Sequence, residues 1–87
     1  VVTNKAMRVY PNPASSEAQV VFNAVSAGKY CIRLVDMLGR TVKEYDGMSA
    51  IGDNSVTMSL ESIHAGLYFI LVYEGGTVYT TKLVVKK

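Results

Sequence analysis

An antiparallel β-sandwich of seven short strands is the fold this sequence predicts, on three observations. Hydrophobicity alternates with period two over most of the 87 residues, the spacing of strands buried on one face. No window long enough for a helix carries a helical period. Turn residues recur between the apolar runs, at Pro11 and Pro13, Gly39, Asp46-Gly47, Gly52-Asp53-Asn54 and Gly75-Gly76. Short strands with such punctuation suit two sheets that hide their apolar faces against each other, as in an immunoglobulin-like sandwich.

Taken in order, Met7 to Tyr10 is a short strand that ends at Pro11-Asn12-Pro13, because neither proline can donate to a ladder. Ala18 to Phe22 follows. Tyr30, Ile32 and Leu34 then form one face of a strand, with Cys31, Arg33 and Val35 on the other. Asp36-Met37-Leu38-Gly39-Arg40 fits a hairpin loop in which Asp36 accepts backbone N–H groups and Gly39 takes a left-handed conformation. Thr41 to Tyr45 is the next strand. Asp46-Gly47 and Gly52-Asp53-Asn54 read as the bounds of a longer loop. Ser55 to Leu60 alternates cleanly, with Val56, Met58 and Leu60 on one face. Leu60 to Ala65 is a one-turn connection that stops at Gly66.

The last stretch is the most strongly specified. Two apolar, β-branched and aromatic runs flank Gly75-Gly76, and glycine suits both central positions of a type I′ turn. The chain therefore ends in a β-hairpin with Lys86 and Lys87 as a polar tip. Because both lysines lie past Val84 and Val85, their removal is expected to change stability by no more than about 0.5 kcal/mol. One echo links two strands: Ala27-Gly28-Lys29-Tyr30 recurs as Ala65-Gly66-Leu67-Tyr68. Each tyrosine is expected to bury its ring and keep its hydroxyl on a backbone partner.

Size and composition bound the function. The length suits one domain, spanning residues 1–87, and 49% hydrophobic residues supply a core without a disulfide or metal. The chain opens Val-Val-Thr-Asn-Lys, without an initiator Met, and reads as a fragment of a larger secreted precursor. No apolar run is long enough to span a bilayer as a helix, the longest being Leu67 to Tyr73. Nine basic and seven acidic residues are scattered, without the one-sided basic stripe of a nucleic-acid surface.

Chemistry is sparse. Cys31 and His64 are the one conventional nucleophile–base pair, but Cys31 lies in a strand pattern with no glycine elbow or helix start beside it. It reads as a small structural residue, and His64 as a loop side chain. Zinc needs several Cys or His ligands, and the chain has one of each. Asp46, Asp53, Asn54 and Glu61 match no calcium loop. Gly75-Gly76 is followed by no helix to cradle phosphate. The reading is of a protein with no catalytic residues, no metal site and no cofactor.

Three segments, in order, resemble a known family: the type A C-terminal sorting domains of type IX (Por) secretion system cargo proteins of Bacteroidetes. They are Val9-Tyr10-Pro11-Asn12-Pro13-Ala14; then Gly28-Lys29-Tyr30 with Leu34 through Val42; then Leu60 through Gly66-Leu67-Tyr68 to Gly75-Gly76 and Lys82-Leu83-Val84-Val85. The resemblance implies a secretion signal that directs a cargo across the outer membrane. It further implies removal by a sortase-like cysteine peptidase and, in many cargoes, anchoring of the released end to an anionic lipopolysaccharide. The implied partners are outer-membrane translocon and shuttle components and that peptidase, with no nucleic acid and no direct membrane insertion. The implied route runs through the periplasm to the outer membrane, cell surface or medium.

Candidate recognition residues under this reading are Gly66, Tyr68, Gly75, Gly76, Lys82, Val84, Val85, Lys86 and Lys87. A pocket or sheet edge would take the protruding hairpin by C-terminal capture or strand addition. The competing class is an immunoglobulin-like accessory binding or adhesion module of an extracellular protein. Its sugar-binding form would need exposed aromatics, yet Trp is absent and Tyr10, Tyr30 and Tyr68 sit at strand ends.

Overall fold

Seven strands make up two antiparallel sheets in the computed structural model, which describes residues 7–24 and 26–87. The strands are β1 (Met7–Tyr10), β2 (Glu17–Ala24), β3 (Gly28–Val35), β4 (Thr41–Ser49), β5 (Gly52–Ser59), β6 (Gly66–Glu74) and β7 (Thr77–Val85). One sheet has the order β1-β2-β5, the other β4-β3-β6-β7. The opening Val-Val-Thr-Asn-Lys lies outside the described residues.

The alternation in the sequence is what assembles the core. Val20 and Phe22 of β2 and Met58 of β5 are fully buried, facing Ile32, Leu34, Ile70, Val72, Leu83 and Val85 from the four-stranded sheet. Leu60 seals the lower end, its N–H bonded to the Ser16 carbonyl at 2.8 Å. Each such side chain contributes roughly 1.5–3 kcal/mol by leaving water, which is how so small a domain holds together.

The turns follow the expected chemistry. Asp36 Oδ1 accepts the N–H groups of Leu38 and Arg40 at 2.9 and 3.0 Å, and Gly39 has φ +85°. Those backbone bonds from Arg40 and Leu38, with the Arg40 guanidinium, hold the Asp36 carboxyl below the usual carboxylate range. Gly75 and Gly76 have φ +57° and +80°, so both central residues of the β6–β7 turn are left-handed. Tyr68 is buried, and its hydroxyl donates to the His64 carbonyl at 2.7 Å, a tyrosine-corner arrangement.

Two expectations are corrected. The segment from Asp46 to Asn54 is not a long loop, because β4 runs on to Ser49 and β5 begins at Gly52, leaving Ala50-Ile51 between them. Gly47 is a strand residue paired with Tyr30, and the Tyr30 ring fills the space its side chain would take. The turn itself is held by Asn54, whose side chain bonds the Ala50 N–H and the Ala50 and Gly52 carbonyls. Tyr30 also differs from Tyr68. Its ring meets Phe22 edge-on at 5.2 Å, and among the described residues its hydroxyl finds no backbone acceptor.

Candidate functional site

The β6–β7 hairpin does not protrude. β6 lies between β3 and β7, and β7 is an edge strand whose Leu83 and Val85 are in the core. What covers part of that edge is the Pro11-Asn12-Pro13-Ala14 segment. After β1 leaves β2, the chain crosses to the other sheet, where Ala14 bridges Val85 in parallel. The Ala14 N–H donates to the Val84 carbonyl at 2.9 Å, and the Lys86 N–H donates to the Ala14 carbonyl at 2.8 Å.

Two prolines leave this segment short of donors, and Asn12 makes up the deficit. Its amide Nδ2 donates to the Lys82 carbonyl at 2.8 Å while its Oδ1 accepts the Val84 N–H at 3.0 Å. The side chain thus behaves as a peptide group and closes the edge where the backbone cannot. In the sequence reading Asn12 stood within the strand-ending Pro11-Asn12-Pro13 and the first segment of the family resemblance, and was not a candidate recognition residue. The available signal was an Asn held between two residues that lack N–H groups.

The candidate recognition residues do not form one patch. Gly66, Tyr68, Val84, Val85, Lys86 and Lys87 gather at one end, with Asn12 and Ala14. Tyr68 and Val85 are buried there, whereas Lys82 and Val84 face outward. Gly75 and Gly76 are at the far end of the hairpin, roughly 25–30 Å away by strand rise.

Lys86 and Lys87 are not a loose tip. Besides the Lys86 N–H bond, Lys87 Nζ donates to the Leu60 carbonyl at 2.8 Å. Deleting both residues removes two hydrogen bonds. The cost is about 1–2 kcal/mol, not the negligible change expected from the sequence.

A second cluster lies on the outer face of the four-stranded sheet. Arg33 Nε bonds Glu44 Oε2 at 2.7 Å, its guanidinium stacks over Tyr73 at 5.2 Å, and the Cys31 thiol donates to Glu44 Oε2 at 3.4 Å. The Arg33 bond, first among the causes, holds the Glu44 carboxyl below its ordinary range. Cys31 pairs with Tyr73 across the ladder, at the opposite end of β6 from His64. That separation is roughly 20 Å or more, so thiol and imidazole are not within hydrogen-bond reach.

Burial first, then hydrogen bonds with Asp46 and Glu44, pushes the Cys31 thiol up from 9.0 to about 11. The neutral thiol is therefore the form the fold favours. Its contribution to stability is complete below the ordinary thiol pKa and is lost as pH rises toward 11. Alkylation of the folded protein by iodoacetamide should stay slow at pH 8 and accelerate with a midpoint near 11. A midpoint at the ordinary value would show that neither burial nor these carboxylates hold the thiol.

The possible calcium ligands are dispersed. Asp53 accepts a bond from Asn23, the Asn54 side chain is used by its own turn, and Asp46 lies beside Cys31 on the other sheet. Among the described residues no group of three or more His, Cys, Asp or Glu side chains could hold a metal ion.

Sheet order, the tyrosine corner and the Pro11-to-Ala14 segment that crosses from one sheet to the other define an immunoglobulin-like β-sandwich domain. Residues 8–86 match the family described as the secretion system C-terminal sorting domain, and the chain belongs to that family. It is a sorting domain of the type IX secretion system, and the reading as an accessory binding or adhesion module is not favoured. Membership implies export across the outer membrane and contact with the secretion machinery.

Among five matching chains of solved structure is dimeric latent PorU from Porphyromonas gingivalis, similar in fold with a TM-score of 0.67 and 19% identity. The match covers 91% of this chain and 9% of that one. No curated protein sequence matches the chain.

Proposed function

We propose that this domain is the removable address of a larger exported protein, a recognition module and not an enzyme. It accompanies its cargo through the periplasm and docks on shuttle and translocon components at the outer membrane. A sortase-like cysteine peptidase then releases it, leaving the cargo at the surface, anchored or free. The observation that carries this reading is the family match over residues 8–86, which takes in every strand but the first residue of β1. The segments that carry the family resemblance also meet around β7: Asn12 and Ala14 pair with Lys82, Val84 and Lys86. A receptor reading this end would touch Lys82, Val84, Lys86 and Lys87 and leave Tyr68 and Val85 to hold the fold.

The test is a fusion of the domain to a soluble reporter in cells that carry the type IX machinery. Lys86→Ala keeps the backbone N–H that bonds Ala14, so it removes the side chain without opening the edge. With Lys87→Ala added, the expected cost is one hydrogen bond, about 1 kcal/mol. The fusion should reach the surface and lose the domain, and the double variant should remain folded in the periplasm, uncleaved. Equal delivery of both would remove these lysines from recognition. A fusion whose delivery never depends on the domain would overturn the sorting function itself.

A further inference from the structure

We propose that the uncovered half of the β7 edge, from Val78 to Lys82, is a strand-addition site for an extended polypeptide segment with apolar side chains at alternate positions. The proposal deepens the sorting function and rests on it.

The direction of the backbone groups follows from the clasp. Both the N–H and the carbonyl of Val84 point away from β6, since Asn12 and Ala14 take them. In an antiparallel ladder this orientation recurs at every second residue. The pairing of β6 with β7 is regular from Gly66–Val85 to Glu74–Thr77, so Lys82, Thr80 and Val78 present their groups to the same side. The Lys82 carbonyl is bonded by Asn12. The Lys82 N–H and both groups of Thr80 and Val78 have no partner among the described residues.

Sheet edges are ordinarily blunted by shortness, proline, bulges or charge. β1 has four residues and runs into Pro11, and β4 carries a register shift together with Lys43, Glu44 and Asp46. β5 is an equally regular edge, with eight residues, no shift and one charge, but it turns Asp53, Ser55 and Thr57 outward. β7 has nine residues, no shift and one charged residue, Lys82, which lies where the clasp begins. The clasp protects only the half from Lys82 to Lys86. It also shows that this edge takes a main-chain partner.

The neighbouring face selects the partner's side chains. On the outer side of β6, Leu67, Phe69, Leu71 and Tyr73 form an unbroken apolar row, half-buried only by their neighbours within the sheet. The outer side of the three-stranded sheet instead carries Gln19, Asn23, Asp53, Ser55 and Thr57, which bond one another. Val78 stands beside Tyr73 and Thr80 beside Leu71. A strand laid along β7 would set its outward side chains beside Val78, Thr80 and the Lys82 stem, one strand beyond the apolar row of β6. Long apolar side chains there can lean back over Thr80 toward Leu71 and Tyr73. Only another extended backbone matches a ladder of alternating N–H and carbonyl groups, which fixes the occupant as a β-strand.

The test uses the reporter fusion with three changes. Thr80→Pro removes the outward N–H and is compatible with an edge strand. Val78→Lys with Thr80→Lys keeps the backbone, changes one half-buried and one exposed residue of the outer face, and places charge where the added strand would bury apolar groups. Ser62→Ala, an exposed change outside β7, is the control. Surface delivery should fall about tenfold or more with either of the first two, the loss expected from one unpaired group at an interface. It should be unchanged in Ser62→Ala. Urea titration of the purified domains identifies any variant that fails to fold, and the lysine variant then decides. Unchanged delivery by a folded variant overturns the proposal, as does an equal loss with Ser62→Ala, which would show that delivery falls with any surface change. If the unaltered fusion is not delivered, the sorting function fails first, and this site with it.

Discussion

Replacing Gly47 with valine is expected to destabilise the domain by about 3 kcal/mol, although valine is a better strand former than glycine. A Cβ at this position would lie within 2.8 Å of Tyr30 Cε2, inside the ring that covers Gly47 from the paired strand. Backbone pairing fixes Gly47, so the ring must move. Moving it breaks the edge-on contact with Phe22, a fully buried residue, and opens a void where the sheets meet.

Urea titration of the single and double variants checks the cause. In a Tyr30→Ala background, Gly47→Val should cost much less, since the space it needs has been vacated, and the coupling should exceed about 1 kcal/mol. Additive effects would mean that Gly47 matters for some reason other than the ring. So would a Gly47→Val domain as stable as the unaltered one.

Gly47 also marks where sequence patterns stop being informative. Period-two runs located all seven strands, because each strand's burial on one face is written in its own residues. Turn residues located the β3–β4 and β6–β7 hairpins for the same local reason: Asp36 and Gly39 bond within five residues, and Gly75-Gly76 needs no distant partner. Asp46-Gly47 looks equally like a turn, and what overrides it is a tyrosine on another strand. The run from Leu67 to Tyr73 is apolar at every position, the composition of a strand covered on both faces, and not the alternation of a half-buried one. The sheet covers only one, with Tyr68, Ile70 and Val72 buried and the alternate residues on the outside. Its second face is a property of the run that the isolated fold does not use.

The candidate site was less legible, because its chemistry is non-local. Lys86 and Lys87 stood out as residues past the core pattern, Lys82 and Val84 only through the family resemblance, and all four are exposed. Nothing in the spacing of Tyr10-Pro11-Asn12-Pro13 indicates that Asn12 meets residues 70 and 72 positions away. Side-chain amides that imitate a strand leave no periodic trace. The clasp can be seen only once β7 is known to be an edge.

Asn12→Ala is therefore expected to cost about 2 kcal/mol, one for each hydrogen bond it forfeits, even though the residue is exposed. Asn12→Asp separates the two bonds. A carboxylate still accepts the Val84 N–H but cannot donate to the Lys82 carbonyl, and it sets negative charge against that oxygen. The aspartate variant should then be no more stable than the alanine one above the carboxylate pKa. It should recover stability as pH falls through that value and the acid gains a proton to donate. The free-energy loss read from urea midpoints should be joined by faster exchange at the Val84, Ala14 and Lys86 amides, because the parallel pairing depends on the same anchor. Exchange confined to Val84 would mean that Ala14 holds the edge without Asn12. In the reporter fusion, the open clasp extends the exposed edge from Val78 down to Lys86. If β7 is read by strand addition, a folded Asn12→Ala domain should still be delivered, at a rate no lower than the unaltered one. A receptor that instead reads the clasp as a surface would lose it. Stability should therefore fall without a fall in delivery, and a loss of both would place Asn12 itself in the recognised surface.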